Sequence, residues 1–585
     1  MIPLLAVAAV YTDVGEARAC LPLEHGALVG TGGGLVKLGD DGAIGRVWTA
    51  LDGLPGTRIE VIAELGGEIW IGTDGGGARL AGDGFADAFT SRDVRGFARL
   101  GDTLYAATWD GGVLEVHPSG GPSGQGVADP CFAADRRAID CPRAGHGPIQ
   151  FRGAPLTGPR TRVAALAVVD GTLYAGTAAG LFALVHGRLE RVAVDGVTGI
   201  AGMYAAEHTL WLATTDGLFA RTATGVQRLG GGDLRAVTQI GDAIVVAGIA
   251  DGLQRVDRGR LVAYAGPREL RIAESLGAAN GAVCAGGLAG AWLQRDHAWI
   301  HAAHRDGPPS NDISALAVAG KRLYVGTFDH GLATFEQGAW RTIESPELDA
   351  RINAILVDGD RLWVGTAEGL TILSGPGFRD ASRLTRRDGL ASRSVLALAK
   401  TRDGKGVLVG TSQGASLFAD GHPVRLGPKA PAGSGQNIES IGNVWAIAED
   451  AAGWLWLGTT TGLYRGHAGD TEWQRFSVVT GHLKDDWVIA MAIQGDALYV
   501  GTYNGGVVRF DGTTATHVAD GWVNPGGLAV LGDRLYAATQ DGLRTSDDGT
   551  HWTDAGTLPG RDTTAIARVD GRLIAGTRRG LAELR

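Results

Sequence analysis

Short apolar runs alternate with polar, glycine-containing turns along all 585 residues of the chain. One apolar run, Leu362-Trp-Val-Gly-Thr366, returns in variant forms throughout. Around each copy, runs of four to seven residues separated by Gly and Asp turns predict four β-strands, named A to D, and no helical period of comparable strength is present. The threonine position of this run recurs fourteen times, about 42 residues apart, at Thr31, Thr73, Thr108, Thr177, Thr214, Gly248, Gly287, Thr327, Thr366, Thr411, Thr459, Thr502, Thr539 and Thr577.

Four short strands in a period of this length are typical of a β-propeller blade, with strand A nearest the central axis. Propellers usually hold four to eight blades, because a larger ring leaves a hole that side chains cannot fill. The small residues that precede the threonine, as in Val-Gly-Thr, indicate that neighbouring blades pack closely. The sequence therefore predicts an all-β protein of fourteen four-stranded blades in two seven-bladed propellers.

The spacing of the fourteen copies suggests how the two rings divide. The longest interval, 69 residues, separates the third and fourth copies, and the next longest, 48 residues, separates the tenth and eleventh. Both coincide with linker-like stretches, Pro118–Gly147 and Gly427–Gly435, and they enclose seven copies. They predict a nested arrangement, with a consecutive split into 1–305 and 306–585 as the alternative. The nested arrangement consists of an outer propeller of 1–118 plus 436–585, an insertion loop 119–157 and an inner propeller 158–435.

The two ends of the chain complement each other. The last unit stops at Arg585 after its third strand, while Val7–Thr12 resembles the fourth strand Gly45–Thr49. Because an open ring exposes strand edges, the N-terminal strand is expected to close the last blade by pairing with residues 580–585. The alternative is a secretory signal, although Met1–Val10 has no positive n-region and Arg18 interrupts the small residues before Cys20.

Composition and charge narrow the classes of function. Glycine accounts for 95 residues and proline for only 20, which suits many tight turns. The net charge of −10 is spread along the chain, so a nucleic-acid surface is not expected. No apolar stretch reaches the roughly 18 residues of a membrane helix, so no membrane span is predicted.

The chain has four cysteines, and whether they form disulfides indicates the cellular compartment of the protein. Cys131 and Cys141 lie ten residues apart in the insertion loop and are candidates for a disulfide, whereas Cys20 and Cys284 lie in strand-like contexts that suggest buried thiols. A disulfide favours the periplasm or the cell exterior.

Two segments carry a family resemblance. Trp48-Thr-Ala-Leu-Asp-Gly-Leu-Pro-Gly-Thr-Arg-Ile-Glu-Val-Ile-Ala63, continued by Ile69–Gly76, resembles the two-component regulator propeller repeat, as does Arg387-Asp-Gly-Leu-Ala-Ser-Arg-Ser-Val395. The resemblance implies a periplasmic double propeller of the kind found in bacterial hybrid sensors, which recognises ligands, often glycans. The sequence contains no transmembrane, kinase or immunoglobulin-like segment, so the signalling role of those sensors is not expected here.

Candidate binding residues come from one face. Strands A and C run opposite to B and D, so the B–C turns and the D–A loops emerge together, on what is called the loop face below. An aromatic ring beside Asp or Asn suits sugar recognition, although each ring could instead pack on the next blade. In the nested arrangement Trp109 and Tyr503 would lie two blades apart and could share a site. Three longer B–C turns supply the candidates Trp109, Asp110, Phe328, Asp329, His330, Tyr503 and Asn504.

The D–A loop His482–Trp487 adds Asp485, Asp486 and Trp487. Adjacent carboxylates can act in catalysis or bind a cation, but they more often cap a solvated turn. Thr545–Trp552 is similar to an Asp-box, which is a structural turn, and the turn Arg578–Arg579 could attract an anion.

No catalytic or metal-binding signature is present. The sequence has no P-loop ending, no His-Glu-x-x-His and no nucleophile elbow, so no cofactor, metal or catalytic residue is predicted. The favoured interpretation is a non-catalytic binding propeller that recognises a glycan or a protein partner through its loop face. The alternatives are a carbohydrate-active hydrolase or lyase using a cleft between the propellers, and a structural subunit of a bacterial envelope complex.

Overall fold

The computed structural model describes residues 7–91, 93–109, 111–116, 162–302, 307–419, 422–428, 441–511, 514–556, 558 and 560–585. Within them lie fourteen antiparallel sheets, of which thirteen have four strands and one has three. The helical elements described are four single 3₁₀ turns, Ala50–Asp52, Arg268–Arg271, Pro376–Phe378 and Arg386–Asp388. No helix in the described ranges is long and apolar enough to cross a membrane. The predicted all-β fold of two seven-bladed propellers is confirmed.

The first strand in chain order, β1 (Val7–Tyr11), belongs to the last blade, and seven blades follow it to form the first propeller. The strands of these blades are, for blade 1, β2 (Ala17–Pro22), β3 (Ala27–Thr31), β4 (Gly34–Leu38) and β5 (Ile44–Trp48); for blade 2, β6 (Ile59–Leu65), β7 (Glu68–Thr73), β8 (Gly76–Ala81) and β9 (Gly84–Thr90); for blade 3, β10 (Val94–Leu100), β11 (Thr103–Thr108) and β12 (Gly112–Val116); for blade 4, β13 (Val163–Val169), β14 (Thr172–Thr177), β15 (Gly180–Val185) and β16 (Arg188–Arg191); for blade 5, β17 (Ile200–Ala206), β18 (Thr209–Thr214), β19 (Gly217–Thr222) and β20 (Gly225–Gly230); for blade 6, β21 (Leu234–Ile240), β22 (Ala243–Gly248), β23 (Gly252–Asp257) and β24 (Arg260–Ala263); and for blade 7, β25 (Ser275–Ala279), β26 (Ala282–Gly287), β27 (Gly290–Arg295) and β28 (Ala298–His301).

The second propeller holds blades 8 to 14. Its strands are, for blade 8, β29 (Ile313–Ala319), β30 (Arg322–Thr327), β31 (Leu332–Glu336) and β32 (Ala339–Ile343); for blade 9, β33 (Ile352–Asp358), β34 (Arg361–Thr366), β35 (Gly369–Ser374) and β36 (Asp380–Leu384); for blade 10, β37 (Val395–Lys400), β38 (Gly406–Thr411), β39 (Gly414–Ala419) and β40 (His422–Leu426); for blade 11, β41 (Val444–Glu449), β42 (Leu455–Thr459), β43 (Gly462–Gly466) and β44 (Gln474–Phe476); for blade 12, β45 (Val488–Gln494), β46 (Ala497–Thr502), β47 (Val507–Phe510) and β48 (Ala515–Ala519); for blade 13, β49 (Val523–Leu531), β50 (Arg534–Thr539), β51 (Gly542–Ser546) and β52 (Thr553–Asp554); and for blade 14, β53 (Thr563–Val569), β54 (Arg572–Thr577) and β55 (Gly580–Leu584), completed by β1.

The chain divides into two compact units, Val14–Arg305 and Met1–Asp13 with Asp306–Arg585. The first strands of blades 1 to 7 pack side by side in a closed ring, in which β2 meets β25, and those of blades 8 to 14 do the same, with β29 beside β53. The nested division into 1–118 plus 436–585 and 158–435 is therefore wrong. The boundary between the units follows the consecutive alternative, apart from the N-terminal segment.

Close glycine contacts explain why the rings shut at these points. A Cβ on Gly286 of blade 7 would lie 2.5 Å from the Cβ of Ala17 in blade 1, and one on Gly576 of blade 14 would lie 2.8 Å from Cγ2 of Ile313 in blade 8. Hydrogen bonds join the same blades, from Ser275 Oγ to the Ala17 carbonyl (3.3 Å) and from Thr564 Oγ1 to the Ile313 carbonyl (2.7 Å). Each closure thus repeats the blade-to-blade packing inside the ring, and the long intervals of the sequence lie within rings, not between them.

The N-terminal strand closes the second propeller as predicted. β1 pairs antiparallel with β55, placing Val7 opposite Leu584 and Tyr11 opposite Leu581. The Tyr11 ring packs on Phe335 of blade 8, with ring centroids 5.0 Å apart, and its hydroxyl donates to buried Glu583 (3.2 Å). β1 therefore supplies the missing fourth strand and also contacts the neighbouring blade. In the nested and in the consecutive arrangement alike, the last blade lacks a fourth strand of its own. The pairing of β1 with β55 therefore does not distinguish between the two arrangements.

The first propeller is closed by a disulfide. Cys20 in β2 and Cys284 in β26 are bonded, with their Cα atoms 5.7 Å apart and 264 residues between them in sequence. The prediction of two buried thiols is therefore wrong, because ring closure brings together two strands that are far apart in sequence. The candidate pair Cys131 and Cys141 lies outside the described residues.

The repeated threonine caps the B–C turn. In each blade that has it, the buried Oγ1 donates to the carbonyl of a glycine three or four residues later and accepts from a backbone N–H of the turn, as Thr366 does with Gly369 (2.9 Å) and Glu368 (3.1 Å). The residue before it allows the next blade to approach: a Cβ on Gly365 would lie 2.6 Å from Val395. The predicted packing role thus belongs to the glycine, and the threonine holds the turn.

The Asp-Gly-Leu motif of the repeat forms the D–A loop. Thr49 and Asp52 cap a single 3₁₀ turn reciprocally, and Gly53 ends it in the left-handed region at φ 100°. Thr385, Asp388 and Gly389 repeat the arrangement before blade 10. The leucines that follow the two turns, Leu54 and Leu390, are buried in the core between blades.

Candidate functional site

On the loop face, the B–C turn of most blades is hydrogen-bonded to the D–A loop that leads into strand A of the same blade. Backbone N–H groups donate from Trp109 to the Asp93 carbonyl (3.0 Å), from Phe328 to Asp312 (3.0 Å) and from Tyr503 to Trp487 (2.9 Å). Side chains of the two loops therefore meet at the start of strand A, next to the central axis of each ring.

A group of four aromatic residues on this face lies on the second propeller, in blades 11 to 13. It consists of Trp445, Trp487, Tyr503 and Trp522, all half-buried, and is called the aromatic cluster below. Trp487 and Tyr503 stack with centroids 4.3 Å apart and planes inclined by 19°. Tyr503 also lies 3.7 Å from Trp522, and Trp487 lies 6.3 Å from Trp445. Because the rings pack on one another, part of each ring is covered by its neighbour and part remains exposed on the loop face.

The neighbouring carboxylates hold the loops. Asp485 accepts from the backbone N–H of Trp487 (3.1 Å) and of Asn504 (2.8 Å), which ties the D–A loop to the B–C turn. Asp486 accepts from the Val478 N–H (2.7 Å) and so closes the loop that precedes the cluster. Both carboxylates act as turn caps, and they fix the positions of Trp487 and Tyr503.

Two valines project from the same loop. Val479 is 91% exposed and Val478 is 45% exposed, the former the highest exposure among the large apolar side chains of the described ranges. Lys484 and Asp520 form an exposed ion pair at 3.2 Å beside this loop. Val478, Val479 and Lys484 thus lie in the same loop as Trp487 of the cluster, between blades 11 and 12.

A second group lies where blade 14 meets blade 8. The Arg578 guanidinium covers the Phe328 ring at 4.3 Å and donates to Asp312 (2.9 Å) and Asp562 (2.9 Å). Burial raises the pKa of Asp312 above its ordinary value, although Arg578 opposes the shift. Asp329 and His330 are exposed neighbours, 3.1 Å apart. Arg578 is thus engaged in protein contacts, and one face of Phe328 is covered.

The remaining candidates lie on the first propeller. The Trp109 ring has two guanidinium groups over it, Arg95 at 4.9 Å and Arg162 at 5.0 Å, and Asp110 lies outside the described residues. Trp109 and Tyr503 belong to different units, so the shared site expected from the nested arrangement has no basis.

Sequence reasoning missed Trp445, Trp522, Val478 and Val479. Trp445 lies at the bulge after the first residue of β41, and Trp522 directly precedes β49. A search for aromatic residues at the start of strand A, in addition to the B–C turns, would have found both tryptophans. The two valines carry no sequence signal that separates them from strand residues.

The described residues contain no group of three or more His, Cys, Asp or Glu side chains that could hold a metal ion. In the Asp-box-like turn, Asp548 accepts from the N–H groups of Thr550 and His551, both at 2.8 Å. These hydrogen bonds hold the pKa of Asp548 far below its usual range. This turn has the structural role that the sequence predicted.

Comparisons with known proteins identify a sequence repeat in this chain and solved structures of similar fold. The sequence model of the Two component regulator propeller family matches residues 439–461, which enclose strand A and strand B of blade 11. A search of curated proteins found no match.

Among solved structures, the chain is similar to PorZ, an essential bacterial surface component of the type-IX secretion system of Porphyromonas gingivalis, with 15% identity over 98% of this chain and 86% of that chain and a TM-score of 0.67. It is also similar to the GH74 enzyme of Niastella koreensis (13% identity, 100% and 99% coverage, TM-score 0.58) and to an ancestral GH74 enzyme (14%, 100% and 99%, TM-score 0.63). At these identities the likeness concerns the fold alone. The chain is a double seven-bladed β-propeller in which residues 439–461, in blade 11, match the two component regulator propeller repeat.

Proposed function

We propose that the protein is a non-catalytic binding module of the periplasm or cell exterior that recognises a protein partner through the loop face of its second propeller. The site comprises the aromatic cluster with Val478 and Val479. A stable complex would make the protein a subunit of an envelope assembly, which is one of the roles expected from its sequence.

The observation that carries this proposal is the 91% exposed Val479, which lies in the same loop as Trp487, one of the three tryptophans that pack with Tyr503 in the aromatic cluster. Exposed apolar side chains grouped beside half-buried Trp and Tyr, with charges at the rim, are typical of protein interfaces. Trp and Tyr are also the residues that most often dominate binding energy at such interfaces.

Preorganisation supports the same role. Asp485 and Asp486 bond the loop backbone, and the stacked rings hold one another, so little side-chain entropy remains to be lost when a partner binds. A glycan would need a free ring face for stacking, whereas Tyr503 is packed between Trp487 and Trp522. The engaged carboxylates likewise favour binding over catalysis at this surface.

The Cys20–Cys284 disulfide supports the proposed compartment, since structural disulfides persist where the environment is oxidising. Of the similar structures, PorZ is described as a bacterial surface component and two others as enzymes, and those roles belong to those proteins.

The test is affinity enrichment from a cell-envelope extract of the source organism, compared by quantitative mass spectrometry among variants. We expect the wild type to enrich one or a few proteins. Their enrichment should fall about tenfold or more with Val479→Asp and with Tyr503→Ala, because a buried charge or a lost aromatic anchor costs about 2 kcal/mol or more of binding free energy. The matched control is Val226→Asp, which places the same charge on an exposed valine of the first propeller.

The purified partner is then titrated against the wild type and the variants by calorimetry. Direct binding that Val479→Asp removes and Val226→Asp retains supports the proposal. If both aspartate variants enrich the same proteins as the wild type, the second propeller is not the binding face. Release of reducing ends from polysaccharides by the wild type would instead favour the hydrolase alternative.

A further inference from the structure

A groove of about 410 Å³ lies on the first propeller, where the loop after blade 6 meets the outer strands of blade 7. Its volume is within the range of small-ligand pockets. It is lined chiefly by the loop residues Pro267 and Glu269 and by Trp292, Gln294, His297 and Trp299 of blade 7. All of these residues belong to the first propeller.

The two indole rings are fixed in place. Trp299 donates its Nε1–H to the Ala265 carbonyl at 3.1 Å. Trp292 stacks on His301 with centroids 4.3 Å apart, and His301 Nε2 lies 2.9 Å from the Ala289 carbonyl. The rings therefore form rigid apolar walls that need no rearrangement to receive a ligand.

The polar groups of the groove retain free hydrogen-bonding capacity. Gln294 Oε1 accepts from the Tyr264 hydroxyl at 3.2 Å, which orients the amide and leaves its two N–H donors. Within the described ranges, the side chains of Glu269 and His297 make no hydrogen bond or ion pair. The groove thus combines an oriented amide donor, a carboxylate acceptor and an imidazole with two indole walls.

These properties match the chemistry of a pyranose ring. Its apolar C–H face packs against an indole, while its hydroxyls accept from an amide and donate to a carboxylate. The only charged lining side chain, Glu269, disfavours an acidic sugar. We propose that the groove between blades 6 and 7 is a binding site for a neutral saccharide, through Trp299, Gln294 and Glu269.

The test uses the methyl glycosides of glucose, galactose, mannose and N-acetylglucosamine, together with methyl glucuronide, each added to the intact protein. Binding is measured by saturation-transfer NMR and by quenching of indole fluorescence. We expect at least one neutral glycoside to bind and the glucuronide to bind more weakly. Trp299→Ala and Gln294→Ala should each weaken binding about tenfold, the loss of roughly one stacking contact or one hydrogen bond in a pocket.

One control separates this site from others. Gln227→Ala removes an exposed glutamine of blade 5 and should bind the glycoside as the wild type does. If Trp299→Ala fails to fold, as seen in its thermal transition, Gln294→Ala and Glu269→Gln carry the test, because neither removes a packed ring. The proposal is overturned if no neutral glycoside binds at about 10 mM, or if the bound glycoside is insensitive to the groove variants.

Discussion

At the scale of single residues, the buried threonine at the end of strand B has the most repeated role. Its hydroxyl donates to a turn carbonyl and accepts from a turn N–H in every blade that contains it, as in Thr31, Thr177 and Thr577. The sequence revealed the recurrence of this residue but not its hydrogen bonds. A β-branched residue between small apolar ones has the pattern of a packed strand, and only the turn geometry shows where the hydroxyl points.

Replacing Thr366 by valine tests this role. The change keeps the shape of the side chain but leaves the Gly369 carbonyl and the Glu368 N–H without their partner, so we expect it to destabilise the second propeller by about 1–3 kcal/mol. The midpoint of its denaturant-induced transition measures the effect. Thr366→Ser keeps the hydroxyl and is expected to lose less, and a smaller loss in Thr366→Val than in Thr366→Ser would assign the stability to the methyl group instead.

At the scale of elements, β1 is both the fourth strand of blade 14 and a contact to blade 8. Tyr11 joins these roles, since its ring meets Phe335 and Trp340 and its hydroxyl reaches Glu583, which also pairs with Arg572. Sequence comparison predicted this strand from its likeness to Gly45–Thr49. The contact to blade 8 could not be predicted, because it depends on which blade follows in the ring.

Tyr11→Ala should therefore loosen the closure at both sides of β1. We expect a loss of about 2–4 kcal/mol in the second propeller, from an emptied aromatic contact and a lost hydrogen bond to a buried carboxylate. Amide hydrogen exchange in β54 and β55 should accelerate, while strands of the first propeller keep their protection. Tyr11→Phe removes only the hydroxyl and should give a smaller effect, whereas unchanged exchange in Tyr11→Ala would show that β1 is not needed for closure.

At the scale of the whole molecule, the two rings are shut by different means, one by the Cys20–Cys284 disulfide and the other by a strand. The count of blades, their strands and the closing strand were predictable, because each depends on a local pattern that recurs. Which blades belong to which propeller was not predictable from the intervals between the repeat copies. The boundary falls between Gly287 and Thr327, 40 residues apart, an interval of ordinary length, and the longer intervals are insertions within a ring.

The difference between the closures predicts two separate responses to a reductant. The disulfide spans 264 residues, and loop entropy at that length corresponds to about 5–6 kcal/mol of stability in the first propeller. Calorimetry with and without a reductant should show a lower transition for the first propeller and an unchanged one for the second. Cys20→Ser with Cys284→Ser should reproduce the shift without a reductant; if both transitions move in this variant, the two propellers do not unfold independently.

The position of β1 also sets the order in which the protein can be completed during synthesis. About 550 residues separate Tyr11 from the start of blade 14, so at about 5–20 residues per second the strand waits roughly half a minute to two minutes for its partner. During that time its edge is open to pairing with other chains, a hazard that the disulfide-closed first propeller does not share. A circular permutant that moves residues 7–13 behind Arg585 would let each propeller finish as one continuous segment, and it should refold with less aggregation.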